Sequence, residues 1–298
     1  MKQSLVFQAR LARRAVRRLA QMIRHRQRFS PPRLSLAGAP IFFANSFPKS
    51  GTHLLTQVMS GFPKIGPAVD SGLPAIVTFL GDTGRQRTED EILGDFRRLL
   101  PGDISYGHVH ALPGAIQFLC QPGVIAYFIL RDPRDVAVSH VHYVSEMAQH
   151  HIHARYYRET LTSFEQRLNA SIAGAAAIAL PDIRQRFDPF MGWLDRSEVL
   201  TLRYEDFIAD VRAQVKRVLD HALQRGFTLA GRSAPEQRTY ESAIQTLLDC
   251  IDPQRSPTFR SGKTGGWRSA FSEEHKRLFK ETTGDLLVRL GYEKDANW

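Results

Sequence analysis

Apolar residues occur along this chain in short blocks with two different periods. Residues 41–44, Ile-Phe-Phe-Ala, are an unbroken apolar run of strand length. Residues 124–130, Val-Ile-Ala-Tyr-Phe-Ile-Leu, are a longer one, rich in β-formers. A run that is apolar at every position predicts a strand buried on both faces of a parallel sheet. Residues 103–107 read as a short strand, and the stretch from Leu200 reads as another, ending at Tyr204-Glu205-Asp206. Helical spacing begins at Leu54 and recurs over 88–100, 113–120, 133–147, 162–195, 205–224, 236–250 and 272–290. Thr88 and Glu91 have the spacing of a capping box, and Asp132-Pro133 suits the cap and first position of a helix. Residues 63–84, rich in Gly and Pro, read as irregular and as part of the substrate side. Strands alternating with helices predict a three-layer α/β/α fold around a central parallel sheet.

The first 36 residues differ from the rest. Leu5, Ala9, Ala12, Val16, Leu19 and Ile23 form one helical stripe, with arginines filling the other positions. Ser30-Pro31-Pro32 ends that pattern. The organisation expected is a basic amphipathic arm and linker over 1–36 and one domain over 37–298. Ten of the 40 basic residues lie in the arm, which has no acid, and the other 30 balance the 30 acidic residues. The net charge of +10 therefore belongs to the arm, which argues against a nucleic-acid-binding domain. Such a helix fits an anionic membrane surface, an acidic partner, or the protein's own surface. Arginines interrupt any secretory apolar region, and no apolar run reaches the ~20 residues of a membrane span. Cys120 and Cys250 match no metal or redox spacing and read as reduced thiols of a cytoplasmic protein, at most peripheral on a membrane.

The candidate chemistry starts at Phe47-Pro48-Lys49-Ser50-Gly51-Thr52-His53-Leu54. Strand, glycine-containing turn and helix aim backbone N–H groups and a positive helix end at a phosphate. Lys49 adds charge, Gly51 allows close approach, and Ser50 and Thr52 add hydroxyls. This is not the Walker A pattern, in which lysine follows the last glycine. Arg131 lies at the carboxyl end of the 124–130 run, where open α/β sheets bind ligands. Its alternative role is an ion pair with Asp135. Ser139 follows two turns into the helix and reaches the same crevice only if that face is turned inward. Phe259-Arg260-Ser261-Gly262-Lys263-Thr264-Gly265-Gly266-Trp267 reads as a flap over an anion.

Taken in this order and spacing, the motifs resemble those of the sulfotransferases that use 3′-phosphoadenosine 5′-phosphosulfate (PAPS). The resemblance covers about residues 41–298 and implies a P-loop-NTPase-like sulfotransferase fold, with PAPS as co-substrate and no metal. It implies that Lys49, Ser50, Gly51, Thr52 and His53 bind the 5′-phosphosulfate and that Arg131 and Ser139 bind the 3′-phosphate. Tyr204 falls near the adenine, and Arg260, Ser261 and Gly262 belong to the flap. Ser261 and Gly266 depart from the family's usual lysine and aspartate, and Lys263 stands two residues from the first of these. Lys49 takes the role of stabilising the leaving phosphate. The catalytic base is a histidine of Gly107-His108-Val109-His110-Ala111-Leu112-Pro113. The Gly-His pair favours His108, adjacency to Leu-Pro favours His110, and only one of them is expected to face the site.

His140, His142, His150, His151 and His153 lack zinc-site spacing. Two other readings stand beside the transferase: a P-loop-like nucleotide kinase and a catalytically weak nucleotide-binding scaffold recruited to membranes. The acceptor, a small-molecule, lipid or sugar alcohol, is not spelled by any motif.

Overall fold

The computed structural model describes residues 12, 16, 19, 20, 36–81, 83–148, 151–230, 236–255 and 262–298. The arm expected over 1–36 thus lies outside the described residues except at Ala12, Val16, Leu19, Ala20 and Leu36. Six strands make one sheet: β1 (Ile41–Ser46), β2 (Val69–Asp70), β3 (Ile76–Val77), β4 (Asp103–His108), β5 (Val124–Leu130) and β6 (Val199–Arg203). Their order is β2-β4-β1-β5-β6, and β3 also pairs with β4. Every pairing is parallel. Parallel neighbours need crossovers, and the helices supply them on both faces.

The helices are α1 (Thr52–Met59), α2 (Phe62–Ile65), α3 (Glu89–Phe96), α4 (Pro113–Cys120), α5 (Pro133–His142), α6 (Phe164–Ala173) and α7 (Ile183–Phe187). After β6 come α8 (Tyr204–Ala209), α9 (Val211–Gln224), α10 (Glu236–Leu248), α11 (Trp267–Ala270), α12 (Glu273–Thr283) and α13 (Leu286–Arg289). The strand period of two divides the core between the two sheet faces. Phe42 and Ala44 of β1 and Ile125, Tyr127 and Ile129 of β5 pack with α1, α2, α9 and α10. Phe43, Ala126, Phe128 and Leu130 pack on the other side, with α3 to α7 and α12. All seven β5 residues are buried, because this strand has a layer of helices on each face.

The central register decides what lies at the carboxyl edge. Asn45 is level with Gly107 of β4 and Phe128 of β5, and Ser46 is level with Ile129. The buried Asn45 side chain then reaches past the end of β4. Its amide donates to Val109 O and its carbonyl accepts from Val109 N, both at 2.9 Å. Trp193 Nε1 donates to the same carbonyl at 2.8 Å. The segment leaving β4 is thereby fastened beside the loop leaving β1.

Several boundaries differ from the sequence reading. The 63–84 stretch is not irregular throughout, because β2 and β3 add to the free side of β4. A Cβ at Gly107 would sit 1.9 Å from Ile76 O, so a glycine is what lets β3 approach. The 205–224 helix is two helices, since Asp210 leaves helical geometry and caps Ala213 N at 2.9 Å. The strand from residue 200 stops at Arg203, and Tyr204 opens α8. Residues 162–195 hold α6 and α7 with 3₁₀ turns at Ala176–Ile178 and Asp188–Trp193. The 272–290 helix divides into α12 and α13. The capping box at Thr88 is present, with Glu91 N donating to Thr88 Oγ1 and Thr88 N donating to Glu91 Oε2. Among the described residues no helix is long and apolar enough to cross a membrane.

Candidate active site

The first loop leaves β1 with Phe47 anchored in the core, stacked on Phe187 at 3.7 Å between ring centroids. Two residues of the turn have left-handed backbone, Lys49 at φ 69° and Gly51 at φ 99°. For lysine that conformation is strained, and such strain persists only where the surroundings over-determine it. Gly51 heads α1, whose first turn has no side-chain cap and no acid. A Cβ at Gly51 would also lie 2.7 Å from Tyr204 Cδ2, so the tyrosine packs directly on the turn. The Ser50 hydroxyl is fully buried and has no hydrogen-bond partner among the described residues. Thr52 is engaged, its Oγ1 2.8 Å from Ser46 Oγ. His53 is exposed on the first turn, and its pKa is lowered by partial burial and then by Lys49.

Arg131 follows β5. Its Nη2 donates to Asp135 Oδ2 at 3.3 Å and to Lys263 O at 2.9 Å, so the ion pair considered from sequence is present. Its guanidinium also covers the Tyr204 ring, 4.6 Å from the centroid. Arg131 Nε is buried and has no partner among the described residues. Buried polar groups are nearly always paired. Two of the exceptions among the described residues, Ser50 Oγ and Arg131 Nε, thus belong to segments that leave the neighbouring strands β1 and β5.

The inward face of α5 completes this wall. Asp135, Ser139 and Tyr143 are four residues apart and so lie on one helical face. Asp135 contacts Arg131 at one end. Tyr143, at a π-helical turn over Tyr143–Met147, receives Lys49 Nζ over its ring, 4.0 Å from the centroid. Half-buried Ser139 lies between these two residues on the same face of α5. The sequence reading missed Tyr143 and treated Asp135 only as a partner for Arg131. The i, i+4 repeat from Asp135 through Ser139 was the available signal.

Asp135 also holds the flap. Its Oδ2 accepts from Gly265 N at 2.8 Å and its Oδ1 from Trp267 N at 2.9 Å. Gly262 is described, with φ 62°, whereas Arg260 and Ser261 lie outside the described residues.

The two candidate histidines have different surroundings. Residues two apart on a strand share a face, but β4 ends at His108 and the chain then turns. His108 Nδ1 lies 2.9 Å from Ser46 O and 3.1 Å from Ser46 Oγ. A carbonyl can only accept, so Nδ1 carries the proton and Nε2 of the neutral ring is an acceptor. Burial lowers the His108 pKa most; His53 and Lys49 lower it further, against the opposing pull of the Ser46 bond. His110 sits between Phe79 and Phe190, 5.4 and 4.8 Å from their centroids, and burial lowers its pKa to about 4.

Of the other histidines, His142 Nδ1 pairs with Glu146 at 2.8 Å and His140 Nδ1 lies 2.9 Å from Ser171 Oγ. His151 Nδ1 accepts from His153 N at 3.2 Å, and His150 is outside the described residues. Among the described residues no group of three His, Cys, Asp or Glu has an arrangement that could hold a metal ion.

The sulfotransferase domain family model matches residues 124–291. No curated protein sequence matches the chain. A retinol dehydratase solved with retinol and PAP (3′-phosphoadenosine 5′-phosphate) superposes with a TM-score of 0.54 and 17% identity, over 90% of this chain and 86% of that one. Retinol dehydratase with androsterone and the inactive cofactor PAP gives 0.51 and 18%, over 90% and 85%. Mouse sulfotransferase SULT7A1 complexed with PAP gives 0.51 and 19%, over 86% and 88%. At these identities the structural likeness speaks for the fold alone.

Burial, and then the charge of Arg131, lower the Lys49 pKa to about 8. The folded protein therefore holds fewer protons at Lys49 than the unfolded chain between pH 8 and 10.5, and this group's contribution to stability rises with pH across that window. Amine acylation of Lys49, followed by peptide mass spectrometry, should reach half its maximal rate near pH 8. In Arg131→Ala the midpoint should move upward, because one of the two lowering causes is gone. A midpoint at the ordinary lysine value in the wild type would contradict the burial argument.

Proposed function

The chain belongs to the sulfotransferase domain family, and from that premise we propose that it transfers a sulfuryl group from PAPS to a hydroxyl acceptor. The observation that carries this reading is the pair of buried donors without a partner among the described residues, Ser50 Oγ next to Lys49 in the loop and Arg131 Nε after β5. PAPS supplies the sulfuryl group and departs as PAP. Lys49, Ser50 and the open first turn of α1 hold the 5′ end, and Lys49 offsets charge on the departing phosphate oxygen. Arg131 and Ser139 hold the 3′-phosphate, and the Tyr204 ring beside Gly51 borders the adenine. Arg260, Ser261 and Gly262 of the flap also bind the cofactor.

His108 Nε2 takes the acceptor's proton while the acceptor oxygen bonds to sulfur and the sulfur–phosphate oxygen bond breaks. His108 is favoured over His110 because its Nδ1 bond to Ser46 orients the ring beside the lysine loop. His110 lies among phenylalanines instead. Retinol and androsterone in two of the solved neighbours favour a hydroxylated acceptor. The kinase alternative is disfavoured by the position of Lys49, ahead of the only glycine in its loop.

The arginine-rich arm supports a further part of the proposal: contact with an anionic membrane surface. Ala12, Val16 and Leu19 are helical, and Val16 and Leu19 are 68% and 59% exposed. Exposed apolar residues between arginines match the chemistry of an anionic lipid interface.

Calorimetry with PAP should show binding by the wild type, weakened at least tenfold, or about 1.4 kcal/mol, in Lys49→Ala and in Arg131→Ala. Equal binding by all three proteins would remove the site as drawn. With a panel of alcohols as acceptors, His108→Ala should lower kcat by ~10²–10⁴-fold, while His110→Phe stays close to wild type. The reverse ranking would transfer the base to His110. The full chain should sediment with phosphatidylglycerol vesicles but not phosphatidylcholine vesicles, and Val16→Asp/Leu19→Asp should abolish this. Unchanged sedimentation of that variant would mean that the apolar stripe is not what touches lipid.

A further inference from the structure

The flap is described from Gly262 onward, and its contacts converge on α5. Arg131 holds the Lys263 carbonyl, and Asp135 holds the Gly265 and Trp267 N–H groups. Behind Trp267 stands a second layer that the donor site itself does not use. Trp267 and Trp298 meet at 88° with centroids 5.7 Å apart. The Arg134 guanidinium fills the corner between them, 3.9 Å from the Trp267 centroid and 4.6 Å from that of Trp298. Asp132 at 2.7 Å and Glu293 at 2.6 Å neutralise this buried cation. Trp298 also touches α12, with its ring 5.8 Å from Phe279 and 4.9 Å from Lys280 Nζ.

We propose that Trp298 is a positioning residue for the 3′-phosphate end of the donor site, acting through the Arg134 corner and Trp267 on the flap. This inference rests on the donor reading above. The backbone N–H of Trp267 is one of the two that Asp135 holds, and Asp135 is the residue paired with Arg131. A shift of the Trp267 ring therefore moves the Trp267–Asp135 bond, and with it the carboxylate that orients Arg131. Removal of the Trp298 ring opens the corner without substituting any residue assigned above to the nucleotide. The effect is expected on the 3′ side alone, because the Lys49 loop has its own anchor in the Phe47–Phe187 stack.

That asymmetry gives a readout which loss of general stability does not reproduce. The experiment is calorimetry of the full chain with PAP and with adenosine 5′-monophosphate, which lacks the 3′-phosphate. Wild type, Trp298→Ala and Trp298→Phe are compared, each with its thermal midpoint. Trp298→Ala should bind PAP about tenfold more weakly with its affinity for adenosine 5′-monophosphate within twofold of wild type. Trp298→Phe should restore most of the loss, since a ring still fills the corner. Equal weakening toward both nucleotides, or none toward PAP, overturns the inference and leaves the donor reading standing. Wild-type protein that binds neither nucleotide overturns both.

Discussion

Parallel pairing of β1 between β4 and β5 is the constraint on which the site depends. In an all-parallel sheet every strand ends at the same edge, so whatever follows each strand is brought to one line. The register sets Ser46 level with Ile129, which leaves the lysine loop, Arg131 and Tyr204 as neighbours although they are far apart in the chain. Asn45 adds the fourth element by fastening Val109, so that His108 meets the backbone of Ser46. A shift of β1 by one residue would exchange its two buried faces and separate these groups.

The electrostatics of the crevice follow from that crowding. Lys49 and Arg131 are like charges brought close, and the loss of water around the lysine adds to their repulsion. Asp135 is the nearby acid, and its two oxygens are shared among Arg131 and two flap N–H groups. One carboxylate thus offsets part of the positive charge and ties the flap to α5. Ser50 Oγ and Arg131 Nε remain without a partner among the described residues. The left-handed backbone of Lys49 is stored strain of the kind that ligand-binding turns retain.

A second group of charges performs a different task. Arg134 is 2% exposed and would be costly to bury alone, but Asp132, Glu293 and two tryptophan faces surround it. It joins the start of α5 to the last residues of the chain. Arg131 and Arg134 are three residues apart on one short segment, yet one faces the crevice and the other the core. The local sequence presents both as arginines near a helix start, and only their surroundings separate them.

The elements were legible where local chemistry dictates them. The apolar run at 124–130 emerges as β5 with the bounds read from sequence, as does the helix at 113–120. The capping box at Thr88 and the cap at Asp132 work through contacts within a few residues, which any sequence displays. Boundaries went astray where a longer-range partner intervened: β3 needs the close approach allowed by Gly107, and the break at Asp210 needs a side chain that prefers the cap to the helix. Tyr143 under Lys49, Asp135 under the flap and Trp298 behind Trp267 were not legible, because each joins segments separated in the chain. The sequence by itself determined the α/β class, the strand–turn–helix around Lys49 to His53 and the placing of Arg131 at the end of β5, since these rest on periodicity and on residue types at fixed local spacing. Only the tertiary structure decided which histidine meets the lysine loop, which face of α5 lines the crevice and what clamps the flap, since strand register and packing between distant segments set those distances.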